Sequence, residues 1–270
     1  MGWLRNLLRS IAARRPPLLH VASDAGAAGA GAGLPVLMIH GIASSSVTFE
    51  RLVPLVEPYH RVITIDLLGF GESPAPEGAE YTIDEHTAAL SRTVRSLGLP
   101  GPFVLVGHSL GALIASRYAA THSGKVSKLI LVSPPIHLPA ETISAPGDRA
   151  AMGVYFRLYE YLRENKEFTI RAAARLARLS PIKNLLDVSE KNWRAFVLSL
   201  QNSIETQTTL SDLAAVRIPV ELVYGSLDLL LAPAGIQIAA QLRHVTVHRV
   251  EAGDHVIRPR MARVVATAIG

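Results

Sequence analysis

The stretch Gly107-His108-Ser109-Leu110-Gly111 decides the reading of this chain, because it fits G-x-S-x-G between an apolar strand run at 103–106 and a helical pattern at 110–122 that Gly124 ends. A serine on so sharp a strand-to-helix turn needs small neighbours, and the two flanking glycines remove the side chains that would clash with the strained backbone. The hydroxyl of Ser109 then stands clear of the sheet. The positive end of the following helix, with the N–H of Leu110, faces any oxyanion formed there.

Outward from the turn, short apolar runs alternate with helical patterns. The runs fall at 36–39, 62–65, 103–106, 128–132, 220–224 and 245–250, and an edge strand is read at 18–22. This alternation predicts an α/β fold, a mostly parallel central sheet with helices on both faces. Thr82 with Glu85 forms a capping-box signature for a helix carrying Ile83, Leu90, Val94 and Leu97 and stopping near Gly98. A last helix over 260–269 puts Met261, Val264, Val265 and Ala268 on one face. Residues 134–213 break the pattern, with three amphipathic helices near 149–164, 168–180 and 189–204 and no convincing strand. They read as an inserted helical cap and hold seven of the 15 aromatics, which either line an apolar pocket or form the cap's own core. The division expected is an arm over 1–33, a core over 34–133 and 214–270, and the cap between.

Composition narrows the chemistry. The 270 residues are 49% apolar and 18% charged, and cysteine is absent, which removes disulfides, thiolate metal sites and a cysteine nucleophile. The net charge of +5 comes almost wholly from Arg5, Arg9, Arg14 and Arg15; the rest carries 23 basic against 22 acidic groups, too balanced a surface for nucleic acid. Trp3, Leu4, Leu7, Leu8 and Ile11 with these arginines form a short basic amphipathic segment, either packed on the body or touching a membrane surface. No secretory h-region is read, so a cytoplasmic, at most peripherally membrane-bound protein is expected. Residues 25–33 read as a flexible turn or linker. No metal or cofactor motif is found, and the oligomeric state is not legible.

At this point the chain resembles the α/β-hydrolase family over residues 34–270, specifically its serine esterases and lipases with a helical cap. It carries in order His40-Gly41, Asp66-Leu-Leu-Gly69-Phe-Gly71-Glu-Ser73, Ser109, Asp228 and His255, where the family places His-Gly, a glycine turn, the nucleophile, the acid and the base. Chemistry explains the need: a serine hydroxyl is a weak nucleophile until an imidazole takes its proton, and a carboxylate must orient that imidazole. Of ten histidines, His255 follows the last strand on a loop able to reach over the carboxyl ends of the strands. His108 is expected to point elsewhere and His40 to be structural. Asp228 ends the preceding strand, whereas Asp254 is too close in sequence to reach back to the His255 ring. The resemblance implies that the N–H of Ile42 joins that of Leu110 as an oxyanion donor. Asp66 to Ser73 read as a structural turn.

A serine at this position sets the chain apart from epoxide hydrolases and haloalkane dehalogenases, which use Asp there. The expectation is a carboxylesterase-like enzyme cleaving small to medium hydrophobic esters through an acyl-enzyme. Carbon-carbon bond hydrolases and perhydrolases share the triad, and a non-catalytic small-ligand receptor is the reading from another class.

Overall fold

The computed structural model describes residues 15–27, 32–138, 146–179 and 186–270. The amphipathic segment over 1–13 lies outside them. Seven strands, β1 (Val21–Gly26), β2 (Gly33–Ile39), β3 (His60–Ile65), β4 (Phe103–His108), β5 (Val126–Val132), β6 (Val220–Gly225) and β7 (Val245–Val250), form one sheet in the order β1-β3-β2-β4-β5-β6-β7. Only the edge pair β1 and β3 is antiparallel; all other neighbours are parallel. The edge strand begins three residues later than expected and takes in Ala25 and Gly26, which the sequence assigned to a linker.

Parallel strands run unbroken in apolar residues because both faces are covered. Leu37 and Ile39 of β2, with Leu105 and Leu131, pack into one buried cluster, while Val36, Met38, Val104, Val106 and Val132 point into the other. On the first face lie α2 (Ile83–Ser96) and α3 (Leu110–Thr121); on the second, α1 (Val53–Val56) and α9 (Pro259–Ile269), the latter burying Met261, Val265 and Ile269. Thr82 caps α2 as predicted, its Oγ1 accepting from the Glu85 N–H at 3.2 Å. Glu85 does not return the bond to Thr82; it accepts from the Glu80 N–H at 2.8 Å.

Between β5 and β6 the described residues form the helices α4 (Pro146–Glu164), α5 (Lys166–Leu179), α6 (Trp193–Ser199), which runs into a π-helical turn at Leu200–Ile204, and α7 (Thr209–Ala215). Hydrogen bonds from the Ser203 hydroxyl to the Tyr81 carbonyl (2.6 Å) and from the Asn202 amide to the Glu80 carbonyl (2.7 Å) fasten this layer to the strand-helix body. A short α8 (Pro233–Ala239) precedes β7. No helix among the described residues is long and apolar enough to cross a membrane.

Candidate active site

Ser109 sits between β4 and α3 at φ 53°, ψ −121°, a conformation a non-glycine residue holds only when its surroundings fix it. They do: its N–H donates to the Val132 carbonyl and its own carbonyl accepts from the Ala112 N–H, both at 2.9 Å. A Cβ at Gly107 would fall 2.4 Å from the Gly111 carbonyl oxygen, and one at Gly111 would fall 2.4 Å from the carbonyl oxygens of Ile39 and His40. The turn closes only because those positions are bare.

The loop after β2 passes directly over the serine. A Cβ on Gly41 would lie 2.8 Å from that of Ser109, so Ile42 follows at the closest point of approach. Neither the Ile42 nor the Leu110 N–H finds an acceptor among the described residues. His40 supports this loop: its Nδ1–H donates to the Gly41 carbonyl at 2.7 Å while its Nε2 accepts the Leu67 N–H at 2.9 Å. Burial holds its pKa down at about 4 against the pull of Asp66, so it is a neutral strut, in keeping with the structural role read for it. Burial would raise Asp66 in turn, but the N–H groups of Glu72 (3.0 Å) and Ser46 (2.8 Å) outweigh this and keep its carboxyl below the ordinary range.

Asp228 and His255 come together at the carboxyl ends of β6 and β7. Their loops touch backbone to backbone, since a Cβ on Gly225 would meet the Gly253 carbonyl oxygen at 2.3 Å, and the Leu227 N–H donates to that carbonyl at 2.8 Å. The Asp228 side chain is fully buried, and its two oxygens lie 3.0 and 2.8 Å from His255 Nδ1. Burial works to raise its pKa, yet the bond to His255 and the charge that ring can carry win, so the carboxyl stays below its usual value. Asp254 turns away to Arg258 at 2.8 Å, as its place in sequence requires. The Ser109 hydroxyl is not hydrogen-bonded to His255 in this structure, although both line one cavity.

One expectation needs correction. His108 does not point elsewhere: its Nε2–H donates to the His255 carbonyl at 2.9 Å, the two rings lie 5.0 Å apart, and its ring lines the same cavity. Burial, with His255 next, lowers its pKa to about 3, which keeps it neutral. Alternation along β4 concealed this, because the turn at Ser109 breaks it.

Two spaces meet at Ser109. The outer one, of about 430 Å³, is bounded by Gly41, Ser44, Thr48, His255 and Arg258. The inner, of about 210 Å³, runs beneath the cap between Tyr155, Leu158, Phe196 and Leu200, and among the described residues no charged side chain lines it. Ile42, Leu176, Leu186 and Leu230 border both. The cap aromatics therefore serve both purposes weighed from sequence: Tyr155 and Phe196 line the chamber, while Trp193 packs on Phe196 at 5.7 Å. Among the described residues no three His, Asp or Glu side chains assemble as metal ligands.

A family model described as alpha/beta hydrolase fold matches residues 35–257. Lipase 1 of Psychrobacter immobilis is 25% identical over 220 residues, 78% of this chain and 67% of that protein. The probable lysophospholipase BODYGUARD 3 of Arabidopsis thaliana is 39% identical over 106 residues, 38% of this chain, and the match spans only 21% of that relative's length. Among solved structures, an esterase from Exiguobacterium antarcticum superposes with a TM-score of 0.73 at 20% identity, covering 93% of this chain and 95% of its own, a likeness of fold.

Proposed function

The chain belongs to the α/β-hydrolase fold family, and from that premise we propose that it is a serine hydrolase that cleaves hydrophobic carboxylic esters through an acyl-enzyme. In this reading Ser109 Oγ attacks the ester carbonyl carbon while His255 Nε2 takes its proton and Asp228 stabilises the imidazolium. The N–H groups of Ile42 and Leu110 receive the oxyanion. Collapse of the tetrahedral intermediate breaks the bond to the alkoxy oxygen, which leaves with the proton from His255. Water, deprotonated by the same imidazole, then releases the acid and restores the serine.

The observation that carries the reading is that Ser109 borders both spaces: His255, paired with the buried Asp228, faces it across the outer one, and the inner one is lined, among the described residues, by apolar and uncharged side chains. An apolar space of about 210 Å³ opening at Ser109 suits an acyl group of small to medium size.

The test is steady-state hydrolysis of p-nitrophenyl esters from acetate to laurate by the parent and a folded Ser109→Ala variant. Multiple turnovers with a maximum at medium chain length, lost in the variant, are expected. Equal rates in parent and variant, or no turnover on any ester, would overturn the assignment. In the latter case, saturable binding of the esters would favour a receptor.

A further inference from the structure

One hydrogen bond joins the cap to the acid loop, and the reaction proposed above makes no use of it. Tyr155, midway along α4, lines the inner chamber and donates its hydroxyl to the carbonyl of Leu230 at 2.6 Å. The N–H of the same Leu230 donates to Asp228 Oδ1 at 3.0 Å, and Asp228 holds His255. A single residue thus connects a cap side chain to the carboxylate that orients the imidazole. Tyr159, one turn further along α4, donates its hydroxyl to the Tyr155 oxygen, which commits the Tyr155 proton to Leu230.

The start of the turn that Tyr155 grips is held by the Leu227 N–H bond to the Gly253 carbonyl at 2.8 Å, but its 228–231 segment is more loosely bonded. Leu227 and Leu229 project into solvent, the latter 89% exposed, and the local bonds Asp228 N–H to Gly225 and Leu231 N–H to Asp228 are stretched to 3.2 and 3.5 Å. Leu230 itself faces both spaces. An acyl chain in the inner chamber would therefore pack against both partners of the Tyr155–Leu230 bond, excluding water from it and narrowing the motion of the turn.

We propose that Tyr155 is a positioning residue that couples filling of the inner chamber to the alignment of Asp228 with His255. The proposal rests on the serine-hydrolase reading for its kinetic consequence, though its structural part can be read without turnover.

The experiment compares the parent with Tyr155→Phe, which keeps the ring and removes the donor. Two readouts are taken on folded protein: kcat and KM across the ester series, and the low-field proton resonance of the His255 Nδ1–H. The expected result is a fall in kcat of about 10-fold, part of what ångström-scale misplacement costs. It is greatest for the chain that best fills the chamber, with KM little changed and the resonance weakened or moved upfield. A purely structural tyrosine would lower Tm and leave resonance and chain-length profile as they were, and that outcome overturns the proposal. Should Tyr155→Phe fail to fold, Tyr159→Phe removes only the bond that orients the Tyr155 oxygen. The same changes at smaller size are then expected, and an unaltered resonance overturns the proposal. A resonance that responds to Tyr155 in a chain without ester turnover would sink the esterase reading alone. Turnover that depends on Ser109 and ignores Tyr155 would sink this one.

Discussion

Ser109 keeps a positive φ that costs on the order of 1–3 kcal/mol, and three glycines leave the room in which that strain persists. Their roles separate by what a methyl group would strike. At Gly111 it would meet two carbonyl oxygens of β2 and its exit, so Gly111→Ala is expected to prevent folding. At Gly41 it would meet the Ser109 Cβ at 2.8 Å, an atom held by the strained turn, and the His108 ring at 3.2 Å, so the loop after β2 must move away from the serine. Gly41→Ala should therefore fold with a lowered Tm, less damaged than Gly111→Ala, and lose most of the proposed ester turnover because Ser109 and the loop carrying Ile42 are pushed apart. Parent-like turnover would show that the loop gives way without consequence. Asp228→Asn keeps the shape of a fully buried side chain but cannot favour the imidazolium, so a fall in kcat of about 10⁴ is expected with the fold retained. Near-normal kcat would remove Asp228 from the mechanism. That Ser109, Asp228 and His255 gather at neighbouring strand ends was legible because each follows an apolar run, and a strand end fixes where a residue sits. The links from Tyr155 to Leu230 and from His108 to His255 were not, since they depend on how a cap helix and a distant loop fall across the sheet.

Strands and long helices followed from periodicity because burial on both faces writes unbroken apolar runs and burial on one face writes a stripe. Short elements escaped that signal. The seven residues of α7 and of α8 span less than two turns each, below the length over which a stripe can be told from a loop. At Leu200–Ile204 the helix widens to a π turn, which shifts its register against the body and lets Ser203 and Asn202 reach the 80–81 backbone. Caps were legible where their chemistry is local. Thr82 satisfies the Glu85 N–H at the start of α2, whose Ala89, Leu90 and Val94 are buried against the sheet. Thr82→Ala should cost about 1 kcal/mol in urea unfolding, with kcat per folded molecule unchanged because α2 lines neither space at Ser109. A loss indistinguishable from zero would mean that the packing of α2 alone fixes its first turn.

Besides His60, four imidazoles are buried in different parts of the molecule: His40 beneath the Gly41–Ile42 loop, His86 under the cap, His108 beside His255, and His137 among Tyr155, Phe156 and Tyr159. Burial depresses all four, to about 4, 3, 3 and 4 respectively. Unfolding returns each to about 6.5, so over the interval between the two values the unfolded chain binds more protons than the folded one. Stability therefore rises with pH there, is fully present above 6.5, and is lost as pH falls toward the folded values. Each histidine contributes about 2 kcal/mol between pH 7.5 and 5, together up to about 8 kcal/mol, comparable with the whole stability of an ordinary domain. The carboxyls of Asp66 and Asp228, held below their usual value of 3.8, act in a lower window, while Glu205, pushed above 4.5 by burial, works in the opposite sense at the acid end of this one. Urea midpoints at pH 7.5, 6.5, 5.5 and 5 should fall mainly below 6.5. A flat series would mean that the folded protein accepts protons at these rings and that they are less enclosed than their positions indicate. His86→Leu isolates one share, because the ring has a single side-chain partner, the Ser199 hydroxyl at 3.3 Å, and lies away from both chambers. It should flatten the slope between pH 6.5 and 5 by about a quarter and leave ester turnover intact. An unchanged slope would assign the acid sensitivity to the other three imidazoles.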